Sequence, residues 1–210
     1  MYKIYYNDKL ICLCHDMTEG LYEKDDSTTH LHYSGKTKYL LSVIDKIEKG
    51  KKAHCYRIFY KKLDRLKDDF FSLFKIVKAA GGLVLNRKSE ILLIHRRGSW
   101  DMAKGKMESG ETKKQSARRE VMEETGLQQV SLINKVETTY HIYRDKSDRR
   151  VIKPSYWYLM STTDMDLVPQ SEEDIEQAIW AKSKDIMAGK YEPMYSSIRS
   201  VLQGYLRSGT

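Results

Sequence analysis

Cysteine is scarce in this chain. Cys12, Cys14 and Cys55 are the only three in 210 residues. An odd handful argues against a disulfide framework and suits a reducing compartment. No apolar run approaches the roughly 18 residues that a membrane-spanning helix needs. The opening stretch MYKIYYNDKLICLCHD is broken by Asn7, Asp8 and Lys9, so it does not read as a signal peptide. These absences together point to a cytoplasmic protein without a membrane partner. Internal repeats, low-complexity tracts and Pro- or Ser-rich linkers are missing as well, which sets aside solenoids and tethered arrays. What remains is a chain with 40% hydrophobic and 31% charged residues, compatible with a packed core under a well-solvated surface. Its length suits one large domain or two modest ones.

The balance of 37 basic against 29 acidic residues leaves a net charge of +8. Residues 1–76 hold 15 basic and 11 acidic side chains and residues 77–210 hold 22 and 18, so each part carries +4. With no basic arm or tail, the charge is weak grounds for nucleic acid. A mild positive field suits a small anionic substrate such as a polyphosphate.

Apolar periodicity divides the chain near residue 76. Tyr2–Tyr6 and Leu10–Cys14 read as strands around a turn at Asn7-Asp8-Lys9. Lys38–Lys49 carries Leu40, Leu41, Val43, Ile44 and Ile47 at helical spacing, with Gly50 as a stop. His54–Tyr60 reads as a strand, and Leu63–Val77 reads as a helix. The first part, 1–76, is thus expected to be a small α+β domain whose role its composition does not select. In the second, 77–210, Ala79–Leu85 and Glu90–His95 form a hairpin around the polar turn Asn86–Ser89. Val136–Tyr143 and Ser155–Met160 form another, with Arg144–Arg150 at its tip. Ala178–Trp180 is a short strand; Ser183–Ala188 and Pro193–Leu206 are helical. This order predicts an α/β fold, an α/β/α sandwich with a mixed sheet and one central helix.

The chemistry lies between Gly105 and Leu127, GKMESGETKKQSARREVMEETGL. Thr112 followed by Gln115 is a capping box, so a helix begins after Thr112, and Gly126 ends it. Glu120 and Glu124 are four residues apart and share a face; Glu123 lies beside them. Three carboxylates in the last turns oppose the helix dipole by about 0.3–1 kcal/mol each. A divalent cation removes that objection. Oxygen ligands without Cys or His favour Mg²⁺ or Mn²⁺ over zinc.

The stretch resembles the Nudix box, Gly-x5-Glu-x7-Arg-Glu-U-x-Glu-Glu-x-Gly-U, where U is a bulky aliphatic. Gly105, Glu111, Arg119, Glu120, Val121, Glu123, Glu124, Gly126 and Leu127 fill every fixed position. The resemblance implies the sandwich fold over about residues 78–205 and leaves the first 76 outside it. It also implies Mg²⁺ or Mn²⁺ held by Glu120, Glu123, Glu124 and the carbonyl of Gly105. Glu111 would pair with Arg119 and hold the loop against the helix. The implied reaction is hydrolysis of a nucleoside diphosphate linked to another group. Its general base varies in the family and is a box glutamate, such as Glu123 or Glu120, or a carboxylate from a later loop, for which Glu172 and Glu173 are candidates.

Substrate contacts are sought around the box. Arg96, Arg97 and Lys104 are candidates for phosphate oxygens. Lys104-Gly105 resembles the Pro-Lys-Gly of diadenosine tetraphosphate hydrolases, although Ala103 replaces the proline. Tyr143 falls 16 residues past Leu127, a spacing similar to that in dinucleoside polyphosphate hydrolases, and Lys153 and Tyr156 add to that likeness. Dinucleoside polyphosphates are therefore the first expectation, with ADP-ribose or a nucleoside triphosphate behind. A nucleotide-binding Nudix protein without turnover, or a homodimer, stays open. Cys12-Leu13-Cys14-His15 has no second ligand pair at metal-site spacing and reads as core packing; His30 and His32 simply alternate along an extended segment.

Overall fold

The computed structural model describes residues 1–7, 9–16, 28–50 and 55–208. The turn position Asp8 and the strand position His54 lie outside them. The chain forms two compact units: Met1–Ile76 with Tyr140–Lys153, and Val77–Thr139 with Pro154–Thr210. The segment Tyr140–Lys153, placed by the sequence in the second domain, is thus grouped with the first.

In the first unit, β1 (Tyr2–Tyr6) and β2 (Lys9–Cys14) form an antiparallel pair. β3 (Thr28–His32) and β2 both run parallel to β4 (Cys55–Phe59). The tip half of β10 (Ser131–Arg144) pairs with the other edge of β1, at Ile4–Tyr140 and Tyr5–His141. Helix α1 (Thr37–Lys49) turns Leu40, Val43, Ile44 and Ile47 inward, spaced by three, one and three as one helical face requires. They meet Ile4, Ile11, Leu13, Ile58, Leu66 and Phe70 in a single cluster. Cys12 and Cys14 are buried beside Phe59.

Helix α2 spans Leu63–Phe71, shorter than the stretch to Val77 that apolar content suggests. The hydroxyl of Ser72 donates to the carbonyl of Asp69 at 2.7 Å, a local bond that competes with helix continuation. Phe74 is still buried, but from a turn, and Lys75–Ile76 (β5) pairs with Val151–Ile152 of β11 (Arg150–Ser161).

The second unit is the sandwich. Its sheet runs β12 (Ile175–Ala181), β7 (Ile91–Arg96), β6 (Ala79–Leu85), β11, β10. β6 lies parallel to β11 and antiparallel to β7, so the sheet is mixed. β6 and β7 are joined near their turn, at Leu85–Ile91, and then part. β7 takes β8 (Ser99–Asp101) as its partner, and β6 takes β9 (Lys104–Lys106). These short strands are not among the elements that periodicity picks out, because three residues carry no alternation. Helix α3 (Lys113–Thr125) covers one sheet face, where Ala117 and Val121 meet Ala80, Val84, Leu92 and Ile94. α5 (Ser196–Ser208) covers the other, where Ile198, Val201 and Leu202 meet Leu83, Leu93 and Trp157. The short α4 (Ser183–Met187) precedes it. No helix of the described residues is long and apolar enough to cross a membrane.

Candidate functional site

α3 is tied down at both ends. Thr112 Oγ1 accepts from the Gln115 amide, and Gln115 Oε1 accepts from the Thr112 amide at 3.0 Å, completing the capping box. Gly126 closes the helix at φ 74°, a left-handed conformation that costs a residue without Cβ little. With its ends set, the buried stripe Ala117–Val121 continues at Glu124, which is drawn under the helix toward the sheet.

The three glutamates end in different surroundings. The Glu124 side chain is 2% exposed, that of Glu120 12% and that of Glu123 50%. Glu124 Oε2 accepts from the Lys104 amide at 2.8 Å, and Arg96 Nη1 lies 3.3 Å from its other oxygen. Burial nevertheless pushes its pKa up to about 7, with Lys104 and Arg96 opposing the rise. Glu120 is raised too, again mainly by burial, with Glu123 and Glu173 adding like charge.

Gly105 is where strand meets helix. A Cβ on this residue would fall 1.8 Å from Glu120 Oε2, so the carboxylate rests directly against the Gly105 backbone.

Arg119 gathers the rest. Its Nε lies 2.6 Å from Glu111 Oε1, and Nη2 lies 3.0 Å from Oε2, a two-pronged grip. Nη1 reaches Glu123 at 2.8 Å and Glu120 at 2.9 Å, and Nη2 also donates to the carbonyl of Lys106. Bonded by Arg119 and then by the Glu108 amide, Glu111 is lowered to about 2. Arg96 Nη2 stands 3.8 Å from Glu173, which brings that later carboxylate to the cluster; Glu172 instead lies beside Ser171.

The carboxylates are thus partnered by arginines, not standing apart from protein cations as helix electrostatics alone suggests. Among the described residues no three acidic, histidine or cysteine side chains converge as they stand into a metal-holding group. The charge count still favours a cation. Among the described residues, the ion pairs of Glu111, Glu120, Glu123, Glu124, Glu173 and Asp101 are made with three cations, Arg96, Lys104 and Arg119. Hard oxygen donors, among them the buried Glu124 and the largely covered Glu120, both of which burial raises against the pull of their cationic partners, fit a hard divalent ion. Glu123, bonded to Arg119, is the half-exposed member of the group.

The other candidates have surroundings of their own. Arg97 is 64% exposed and bonds Asp174 at 2.8 and 3.0 Å. The Lys104 ammonium is turned to Asp101 at 2.5 Å. Tyr156 packs beside the core on the α3 face, with the Lys113 ammonium 4.0 Å from its ring centre. Tyr143 and Lys153 belong to the first unit, while the glutamates belong to the second. Asp101 and Lys113 were missed by sequence reasoning. The Asp-x-x-Lys spacing just before Gly105 was the available signal for the first; Lys113 carried none.

Comparison with known proteins decides the family. The NUDIX domain profile matches residues 75–203, more than half of the chain. The chain belongs to the Nudix family. Over 111 residues it is 37% identical to a Mycobacterium tuberculosis protein that carries the mutator name MutT4, a match covering 48% of this chain and 43% of that protein. The match therefore spans less than half of that relative's length. Among solved structures, a MutT protein from Methanosarcina mazei Go1 superposes with a TM-score of 0.52 at 20% identity, over 65% of this chain and 97% of that one. A C. elegans Ap4A hydrolase gives a TM-score of 0.48 at 23% identity, over 64% and 99%. At such identities the M. mazei likeness is one of fold, and it agrees with the Nudix sandwich of the second unit. Nudix proteins generally use divalent metal ions.

Proposed function

We propose that this Nudix protein hydrolyses a phosphoanhydride bond in a nucleoside diphosphate-linked substrate, with Mg²⁺ or Mn²⁺ held by Glu120, Glu123, Glu124 and the Gly105 carbonyl. The observation that carries the proposal is the apposition of Glu120 to the Gly105 backbone beside the buried Glu124. Such an ion, when bound, neutralises phosphate oxygens and makes an attacking water more acidic. Arg96, already beside Glu124 and Glu173, grips a phosphate oxygen. Glu123, the most exposed of the three glutamates, takes the proton of the attacking water; Glu173 is the second candidate for that role. The water oxygen bonds to phosphorus, and the bridging oxygen leaves with the other phosphate. Arg119 and Glu111 position the loop and the glutamates without touching substrate.

Dinucleoside polyphosphates fit the Lys104-Gly105 pair and the spacing to Tyr143. A second reading, a nucleoside triphosphate, is supported by the Lys104 ammonium, which is already engaged by Asp101. Incubation with diadenosine tetraphosphate, ADP-ribose and nucleoside triphosphates, with Mg²⁺ and product identification, separates them. Faster turnover of diadenosine tetraphosphate supports the first reading, and faster turnover of triphosphates the second. Saturable binding of all three without turnover would refute hydrolysis.

A further inference from the structure

Asp101 is a buried carboxylate that the proposed reaction does not use. Its side chain is 3% exposed, and both of its oxygens are engaged. Oδ2 lies 2.5 Å from the Lys104 ammonium, and Oδ1 accepts from the Met102 amide at 2.8 Å. Lys104 faces two carboxylates at once. Its main-chain N–H is given to Glu124, its ammonium to Asp101. A lysine ammonium is a mobile point charge on a four-carbon stem, and one that is mostly buried does not stay without a counter-charge. Deprived of Asp101, the ammonium has Glu124 as the other carboxylate that feels its charge.

We propose that Asp101 is a positioning residue that masks Lys104. It holds the ammonium off Glu124, so that this carboxylate meets Lys104 only through a neutral amide and stays available to a divalent cation. The same aspartate holds the Met102 amide in the link between β8 and β9, after which the chain brings Gly105 to Glu120. The inference rests on the metal-dependent reading above and adds a residue to it.

The test is Mn²⁺ binding by the full chain without substrate, measured by titration. Asp101→Asn unmasks Lys104 and is expected to weaken binding about tenfold. Adding Lys104→Met removes the unmasked charge, and the double variant is expected to return to within about threefold of wild type. A purely structural role for Asp101 predicts a double variant no better than the single one. That outcome, or an Asp101→Asn protein that binds as tightly as wild type, overturns the proposal. Should Asp101→Asn alone fail to fold, the isosteric double variant decides by itself: near-wild-type binding supports masking, and a tenfold loss overturns it. Wild type that binds no Mn²⁺ removes the metal reading itself, and this one with it.

Discussion

Gly105→Ala is the smallest change that reaches the centre of the site. The added Cβ would lie 1.8 Å from Glu120 Oε2 and 2.2 Å from its Cδ, where real Cβ contacts begin at 3.0 Å. The carboxylate must therefore retreat by at least 1.2 Å, the gap between the Oε2 contact and that limit. The Gly105 backbone is not among the positive-φ glycines, so alanine meets no conformational objection there. Misplacement by about 1 Å costs a catalytic arrangement on the order of 100-fold, near 2.7 kcal/mol of transition-state stabilisation. We expect nucleotide turnover with saturating Mg²⁺ to fall by about that factor, while the thermal midpoint changes little, because the contact is to a side-chain end. Turnover within about threefold of wild type would refute the placement of Glu120 against Gly105 as part of the site.

The remaining predictions concern charge. Because burial raises Glu124 from 4.5 to about 7, its protonated form stabilises the fold fully below about pH 4.5, and that contribution is lost as pH rises through 7. In EDTA the thermal midpoint is thus expected to fall between about pH 5 and pH 8, and Mg²⁺ to restore it at the upper end; a midpoint that rises over this range contradicts the assignment. Glu111 acts with the opposite sign. Lowered to about 2 by Arg119, it contributes stability above the unfolded value of 4.5 that is lost as pH falls through 2. Arg119→Lys keeps the charge but loses the two-pronged grip on Glu111, and should lower both turnover and thermal midpoint; unchanged values would leave the pair without a positioning role. In the first unit, Arg150→Met strips three bonds from Glu48 and Asp45 and should cost about 1–3 kcal/mol by urea titration; no measurable loss would show that the cluster is idle.

Spacing along one helix was the legible part of the site. Thr112, Gln115 and Gly126 mark the ends of α3 through local bonds, and the four-residue interval places Glu120 and Glu124 on one face. What lies opposite that face is set by the parting of β6 from β7, which no interval records. Asp101, Lys104 and Gly105 reach α3 only because three-residue strands fold back along the sheet. Tyr143, whose distance from Leu127 in sequence resembles a substrate contact, lies on the long strand β10 in the part grouped with the first unit. Arg96 and Arg119 also altered the electrostatic expectation, since the helix dipole says where carboxylates are uncomfortable but not which cation relieves them. The first unit was legible as strands and an amphipathic α1. The end of α2 was not, because Phe71, Leu73 and Phe74 are apolar in helix and turn alike.

Glu124→Gln against wild type tests the central claim most directly, with Mn²⁺ binding and nucleotide product release followed on the same preparations. The account predicts that the glutamine protein folds, loses Mn²⁺ binding, and releases products at least about 100-fold more slowly. It also predicts that EDTA abolishes wild-type turnover. A glutamine variant that binds metal and turns over substrate like wild type, or wild-type turnover indifferent to EDTA, would contradict it.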